Sequence, residues 1–189
     1  LTLRGNVQIG GVVRPAQSVV ILAGVEAQGV SVGADAAFNV IRIENTDVTV
    51  SGTLKGAELQ IGDATKAYDV KFAKGTTVDV TKLVVPGSEN AANVTLQPKT
   101  SGDGWTLVVC ETAVTGVRVA NCDASKGVLV VPVKSTDLGG NVNWLFNDTR
   151  LHWNGTDPIG PDDDVVLDKG VAATLTEATS VKSLALDPG

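Results

Sequence analysis

The chain has 189 residues, 15 basic against 21 acidic, a formal net charge of −6 and 43% apolar residues. That length holds a real core in one domain or two small ones, and the acidic balance excludes binding to nucleic acid or an anionic membrane surface through clustered positive charge. The apolar content excludes a disordered chain, no apolar run approaches the ~18 residues of a spanning helix, and one histidine with two cysteines excludes the usual multi-ligand zinc site.

No window carries the 3.6-residue periodicity of a capped amphipathic helix. What recurs instead is a short β-type run broken by Gly, Asn or Asp. In chain order these are Leu1 to Leu3, Val7 to Ile9, Val19 to Leu22, Val30 to Val32, Val40 to Ile43, Val48 to Val50, Leu59 to Ile61 and Val70 to Phe72. Then come Val78 to Val80, Leu83 to Val85, Val94 to Leu96, Trp105 to Val109, Val117 to Ala120 and Val128 to Val133. Trp144 to Phe146, Val165 to Leu167, Ala173 to Leu175 and Val181 to Leu186 complete the series. Glycines such as Gly33, Gly52, Gly62, Gly75 and Gly87 stand in many connectors.

This rhythm fits an antiparallel sandwich or a β-solenoid. A sandwich needs tight Asn-Gly or Asp-Gly hairpins, and such dipeptides are scarce here, Asn154-Gly155 being the good example. Triplets such as Val48-Thr49-Val50, Val78-Asp79-Val80 and Val94-Thr95-Leu96 place two apolar side chains inward and one polar side chain outward. A narrow solenoid interior asks for that pattern, and valine, present 31 times, suits it. No single period fits the whole chain. The expected fold is therefore all-β, an irregular, right-handed parallel β-helix, with a solenoid body over 1–146 and a C-terminal β segment over 147–189.

Trp105 to Phe146 carries a Trp-led strand, Val117 to Val119, the turn Asn121 to Ser125, Val128 to Val131, an Asp- and Gly-rich turn over Asp137 to Asn143, and Trp144 with Phe146. This segment resembles a pattern in large secreted bacterial surface proteins with β-helical passengers, of the autotransporter and adhesin kind. The stretch from Trp153 to Gly189, with Pro161 to Val166 and Ser183 to Leu186, resembles the opening of a further repeat. In that family a Leu-Thr-Leu strand with Gly-Asn would follow, and the chain begins Leu1-Thr2-Leu3-Arg4-Gly5-Asn6. The C-terminus thus reads as if it should run into the N-terminus. Three explanations stand: one repeat of a longer protein, a subunit whose last coil stacks on the first coil of the next copy, or generic β-helix grammar. The first residue is not Met, which suggests a processed or trimmed chain. The resemblance, the scarcity of lysine and the absence of methionine suggest an extracellular or cell-surface location.

Cys110 and Cys122 each follow a valine-rich strand. If those strands are neighbours, the cysteines are within reach of a disulfide; otherwise they are two buried thiols. The bridge is the expectation. Asp162, Asp163 and Asp164 form a weak calcium candidate beside the plainer reading of a solvated acidic turn. His152 lacks a nucleophile elbow and reads as a packed or surface residue. Isolated acids such as Asp47 and Asp69 would need to align on neighbouring coils to serve a polysaccharide-cleaving enzyme. Asn93, Asn147 and Asn154 match the glycosylation acceptor pattern, cheaply in an Asn- and Thr-rich chain.

The expected function is a non-catalytic structural subunit of an extracellular filament or layer, without a cofactor, whose partners are copies of itself joined head to tail. Leu1, Thr2 and Leu3 at one end and Ser183, Leu184, Ala185 and Leu186 at the other are the expected joint. An adhesin passenger segment is the runner-up, and a polysaccharide-active β-helix the third reading.

Overall fold

The computed structural model describes residues 1–13, 17–88 and 90–146, together with the backbone of three strands, Leu151–Trp153, Asp164–Leu167 and Ser183–Leu186. The chain divides into two compact units, Leu1–Asn147 and Asp148–Gly189.

The first unit is a 13-stranded sheet in which every paired strand is parallel to its neighbour. In chain order its strands are β1 (Thr2–Leu3), β2 (Val7–Ile9), β3 (Val19–Leu22), β4 (Gln28–Val32), β5 (Ala37–Ile43), β6 (Asp47–Ile61) and β7 (Tyr68–Phe72). They continue as β8 (Thr77–Pro86), β9 (Val94–Pro98), β10 (Trp105–Thr115), β11 (Val117–Val119), β12 (Cys122–Asp123) and β13 (Thr136–Asp137). Several runs that read as separate in the sequence are one strand. Val48 to Val50 and Leu59 to Ile61 both lie in β6, and Val78 to Val80 and Leu83 to Val85 both lie in β8. Val128 to Val133 and Trp144 to Phe146 contribute only isolated bridges, at Val130, Val133 and Trp144.

Apart from β5 with β6 and β6 with β7, where the long β6 lies on more than one ladder, each strand of this unit pairs with the next but one. One ladder joins β1, β3 and the latter parts of β5, β6, β8 and β10, as in Leu3 facing Leu22 and Leu22 facing Ile43. A second joins β2, β4, the start of β6, β7, β9, β11 and β13. A third joins the start of β5, the middle of β6, and the starts of β8 and β10, which in turn meets β12. From β3 to β12 each pass of the chain lays one segment on each ladder, and the flanking passes complete theirs through isolated bridges at Val13 and Val133. Val19 faces Val40, Val40 faces Glu58, Glu58 faces Lys82 and Lys82 faces Glu111, so the passes differ in length and no fixed period exists.

Alternation within each segment builds the core. Gln28, Val48, Val70, Leu96 and Val119 form one buried column, and Leu54, Val78 and Leu107 another. Their neighbours Thr49, Asp69 and Thr95 face outward. Parallel sheets covered on both faces read as continuous apolar runs; here one face meets water, which is why the sequence alternates. Phe72 stacks on Trp105, ring centroids 3.9 Å apart, and the Trp105 indole N–H donates to the Ala120 carbonyl at 3.0 Å.

The ladders bend at a column of skipped residues. Phe38, Gly56, Val80 and Val109 are in register, as are Val40, Glu58, Lys82 and Glu111, which leaves Asn39, Ala57, Thr81 and Cys110 unpaired at the corner. This geometry overturns the expected disulfide. β10 pairs with β8 and β12, whereas β11 pairs with β9 and β13, so the strands preceding the two cysteines are not neighbours. Cys122 faces Trp105, five residues before Cys110 on β10. That separation is roughly 16 Å, against at most ~7 Å for a bridge. Both thiols are free, Cys110 exposed at the corner and Cys122 buried.

In the second unit, β14 (Leu151–Trp153), β15 (Asp164–Leu167) and β16 (Ser183–Leu186) form a parallel sheet in that order.

Candidate assembly edge

An interior strand of a parallel ladder has a hydrogen-bonded neighbour on each side. β1 has only β3, and β2 has only β4, among the described residues. On the side facing β3 the bonding is complete: the Leu1 amine donates to the Val19 carbonyl at 2.8 Å, and the amides of Ile21 and Ala23 donate to the carbonyls of Leu1 and Leu3 at 2.8 and 3.0 Å. Among the described residues no strand pairs with the other side.

The side chains show the same imbalance. Leu3 stands in a column with Leu22 and Ile43, and Val7 in a column with Val30 and Val50. The later members are buried to 3% exposure or less, whereas Leu3, Val7 and Ile9 are only partly covered and Leu1 is 75% exposed. They differ in that, among the described residues, no pass lies over them. Leu1, Leu3, Val7, Ile9 and Val13 therefore rim an apolar mouth of about 470 Å³ that opens onto Val20 and Phe38. At the other edge of this unit β13 pairs, among the described residues, with β11 alone, and Val133, Leu138 and Val142 are 53%, 49% and 51% exposed. In the second unit β16, which holds Ser183, Leu184, Ala185 and Leu186, is an edge strand paired with β15.

No protein-family model matches the chain, and neither a curated protein nor a solved structure shows significant similarity to it.

The remaining candidates fall as follows. Asp162 and Asp163 lie outside the described residues, and Asp164 opens β15. Among the described residues no three metal-ligating side chains come together. His152 is the middle residue of β14, in register with Val166. Asp47 and Asp69 do stand in register on adjacent passes, but the Lys71 ammonium sits on both, at 2.9 and 3.0 Å, and these carboxylates raise its pKa above the ordinary lysine value. The pair is an ion cluster on the sheet face, with Gln97 donating to Asp69 at 2.7 Å. Asn147 and Asn154 lie outside the described residues. The Asn93 amide is consumed by the fold: its nitrogen donates to the carbonyls of Asp63 at 2.8 Å and Lys66 at 2.6 Å, and its oxygen accepts from Ser88 N–H.

Asn93 belongs to a set that sequence reasoning passed over. Gln28 donates to the carbonyls of Leu3 and Gly5, at 3.3 and 2.7 Å. Asn45 donates to the Glu26 carbonyl at 2.9 Å, and Asn141 to that of Val119 at 2.8 Å. Asn143 donates to the carbonyls of Ala124, Gly127 and Val128. Each amide ties down a turn by donating to its backbone carbonyls, some of which, at Leu3, Val119 and Ala124, also accept a backbone N–H. The available signal was an Asn or Gln in or beside several turns, which composition alone presents as generic polarity.

A second local device is the turn at Asp63. Its carboxylate accepts from the Thr65 hydroxyl and amide, the Lys66 amide and the Tyr68 hydroxyl, and these bonds hold its pKa well below the usual carboxylate range. Burial first, then Asp63, pushes the Tyr68 phenol above its ordinary value. Burial likewise pushes the Cys122 thiol up to about 12.

Proposed function

We propose that this chain is a non-catalytic, right-handed β-solenoid that builds an extracellular or cell-surface filament by end-to-end stacking of copies. The observation that carries the reading is the first edge. β1 and β2 hold unsatisfied ladder positions around an apolar mouth, in the same columns that are fully buried one pass later. Such an edge is a template for another strand, and polar caps normally protect it. A further pass laid on it would bury aliphatic side chains worth up to about 1.5–3 kcal/mol each when fully covered. Ser183 to Leu186 of a neighbouring copy is the segment we assign to the contact. Because the two surfaces differ, the contact is heterologous and repeats into an open filament. The ion pairing of Lys71 with both Asp47 and Asp69 supports a structural rather than a hydrolytic role for that face.

The test is negative-stain electron microscopy of untagged native material, alongside Leu1→Asp and Leu184→Asp. Leu1 is largely exposed, so its replacement leaves the core intact. Filaments for the parent chain, lost in Leu1→Asp at an unchanged melting temperature, support the reading. Isolated particles for the parent chain at all concentrations overturn it and turn attention to the adhesin passenger, to be followed by cell- and glycan-binding assays.

A further inference from the structure

The turn-closing amides have a direction. Gln28 donates to the turn of the pass before its own, at Leu3 and Gly5. Asn45 donates back to Glu26 and to the Gln28 side-chain oxygen, Asn93 back to Asp63 and Lys66, Asn141 back to Val119, and Asn143 back to Ala124, Gly127 and Val128. In every case the side-chain N–H₂ reaches carbonyls of the preceding pass. A pass is thus tied to its predecessor twice, once through the ladder and once through an amide at its turn.

Asn6 occupies the corresponding turn of the first pass, between β1 and β2. Its oxygen is used, accepting from the Gly29 amide of the following pass at 2.7 Å. Its nitrogen has no partner among the described residues, and the side chain is exposed. Among the described residues of this unit, the first pass has no predecessor in the ladders.

We infer that Asn6 is the amide clamp of the assembly joint: its side-chain N–H₂ receives backbone carbonyls from a turn of a second copy stacked on β1 and β2. This deepens the stacking proposal and rests on it. The occupant is a second copy because the edge offers parallel-ladder positions and an apolar mouth together. A small ligand would satisfy neither row of backbone groups, whereas a solenoid pass supplies strands, apolar side chains and turn carbonyls in one surface. Asn6 would then specify register, since it bonds only when a turn lies over it, while apolar burial alone tolerates slippage.

The test separates the two halves of the amide. Asn6→Asp keeps the acceptor for Gly29 and removes the donor; Gln8→Glu, at the exposed position of β2, makes the same charge change without touching the clamp. The critical concentration for polymerisation is measured by sedimentation, with melting of the unassembled chain as the folding control. A lost hydrogen bond of ordinary strength predicts a critical concentration about five- to tenfold higher in Asn6→Asp, with Gln8→Glu near the parent value and both melting like the parent. If the parent chain assembles and Asn6→Asp assembles equally well, or Gln8→Glu is equally weakened, the clamp is refuted while stacking survives. If the parent chain does not assemble, stacking itself fails and the clamp with it.

Discussion

Gly52→Ala tests the winding of the first unit more sharply than any core truncation. Gly52 sits at the bend within β6 with φ +85°, and a Cβ built there would lie 2.0 Å from the Val32 carbonyl oxygen. Two costs follow. The left-handed backbone costs an alanine about 1–2 kcal/mol. The overlap falls on the backbone of the neighbouring pass rather than on a side chain that can swing aside, and forcing the ladder apart costs about 1–3 kcal/mol more, the usual range for overpacking. The expected destabilisation is about 2–5 kcal/mol, read in urea as a lower midpoint at an unchanged slope. Gly75→Ala is the internal control. Gly75 has φ +72° with nothing within 4 Å of a built Cβ, so only the conformational cost of about 1–2 kcal/mol applies. Equal losses for the two variants would show that no backbone stands against Gly52, and the close stacking of β4 on β6 would be wrong.

Two further outcomes follow from the site geometry. With a thiol-reactive dye, the native chain should label once and quickly at Cys110, and the unfolded chain twice; two native labels, or none until a reductant is added, would contradict an exposed corner thiol and a buried Cys122. The Asp63 turn should make stability pH-dependent in one direction. Because its folded pKa is depressed, its contribution is present above the ordinary unfolded carboxylate value near 3.9 and is lost as pH falls from there through the folded value. Asp63→Asn should therefore melt below the parent chain at pH 7, with the gap narrowing below about pH 4; a gap that stays constant down to pH 2 would refute the carboxylate's role.

The sequence by itself determined the all-β class, the short apolar segments and their inward faces. Period-two alternation is a local property, and Val48-Thr49-Val50 shows its faces without reference to any partner. The apolar first strand was also legible, because Leu1-Thr2-Leu3 carries no charged side chain or proline. What only the tertiary structure decided is which segment lies beside which. The passes are unequal in length, so register cannot be counted along the chain. Asp47 meets Asp69, and Trp105 rather than Cys110 meets Cys122. The corner that skips Asn39, Ala57, Thr81 and Cys110 has no signature in any one strand, since a skipped residue is defined only against its neighbours. The amide clamps were hidden for the same reason. An asparagine beside a turn reads as solvated polarity until a carbonyl from the preceding pass is brought within about 3 Å of it.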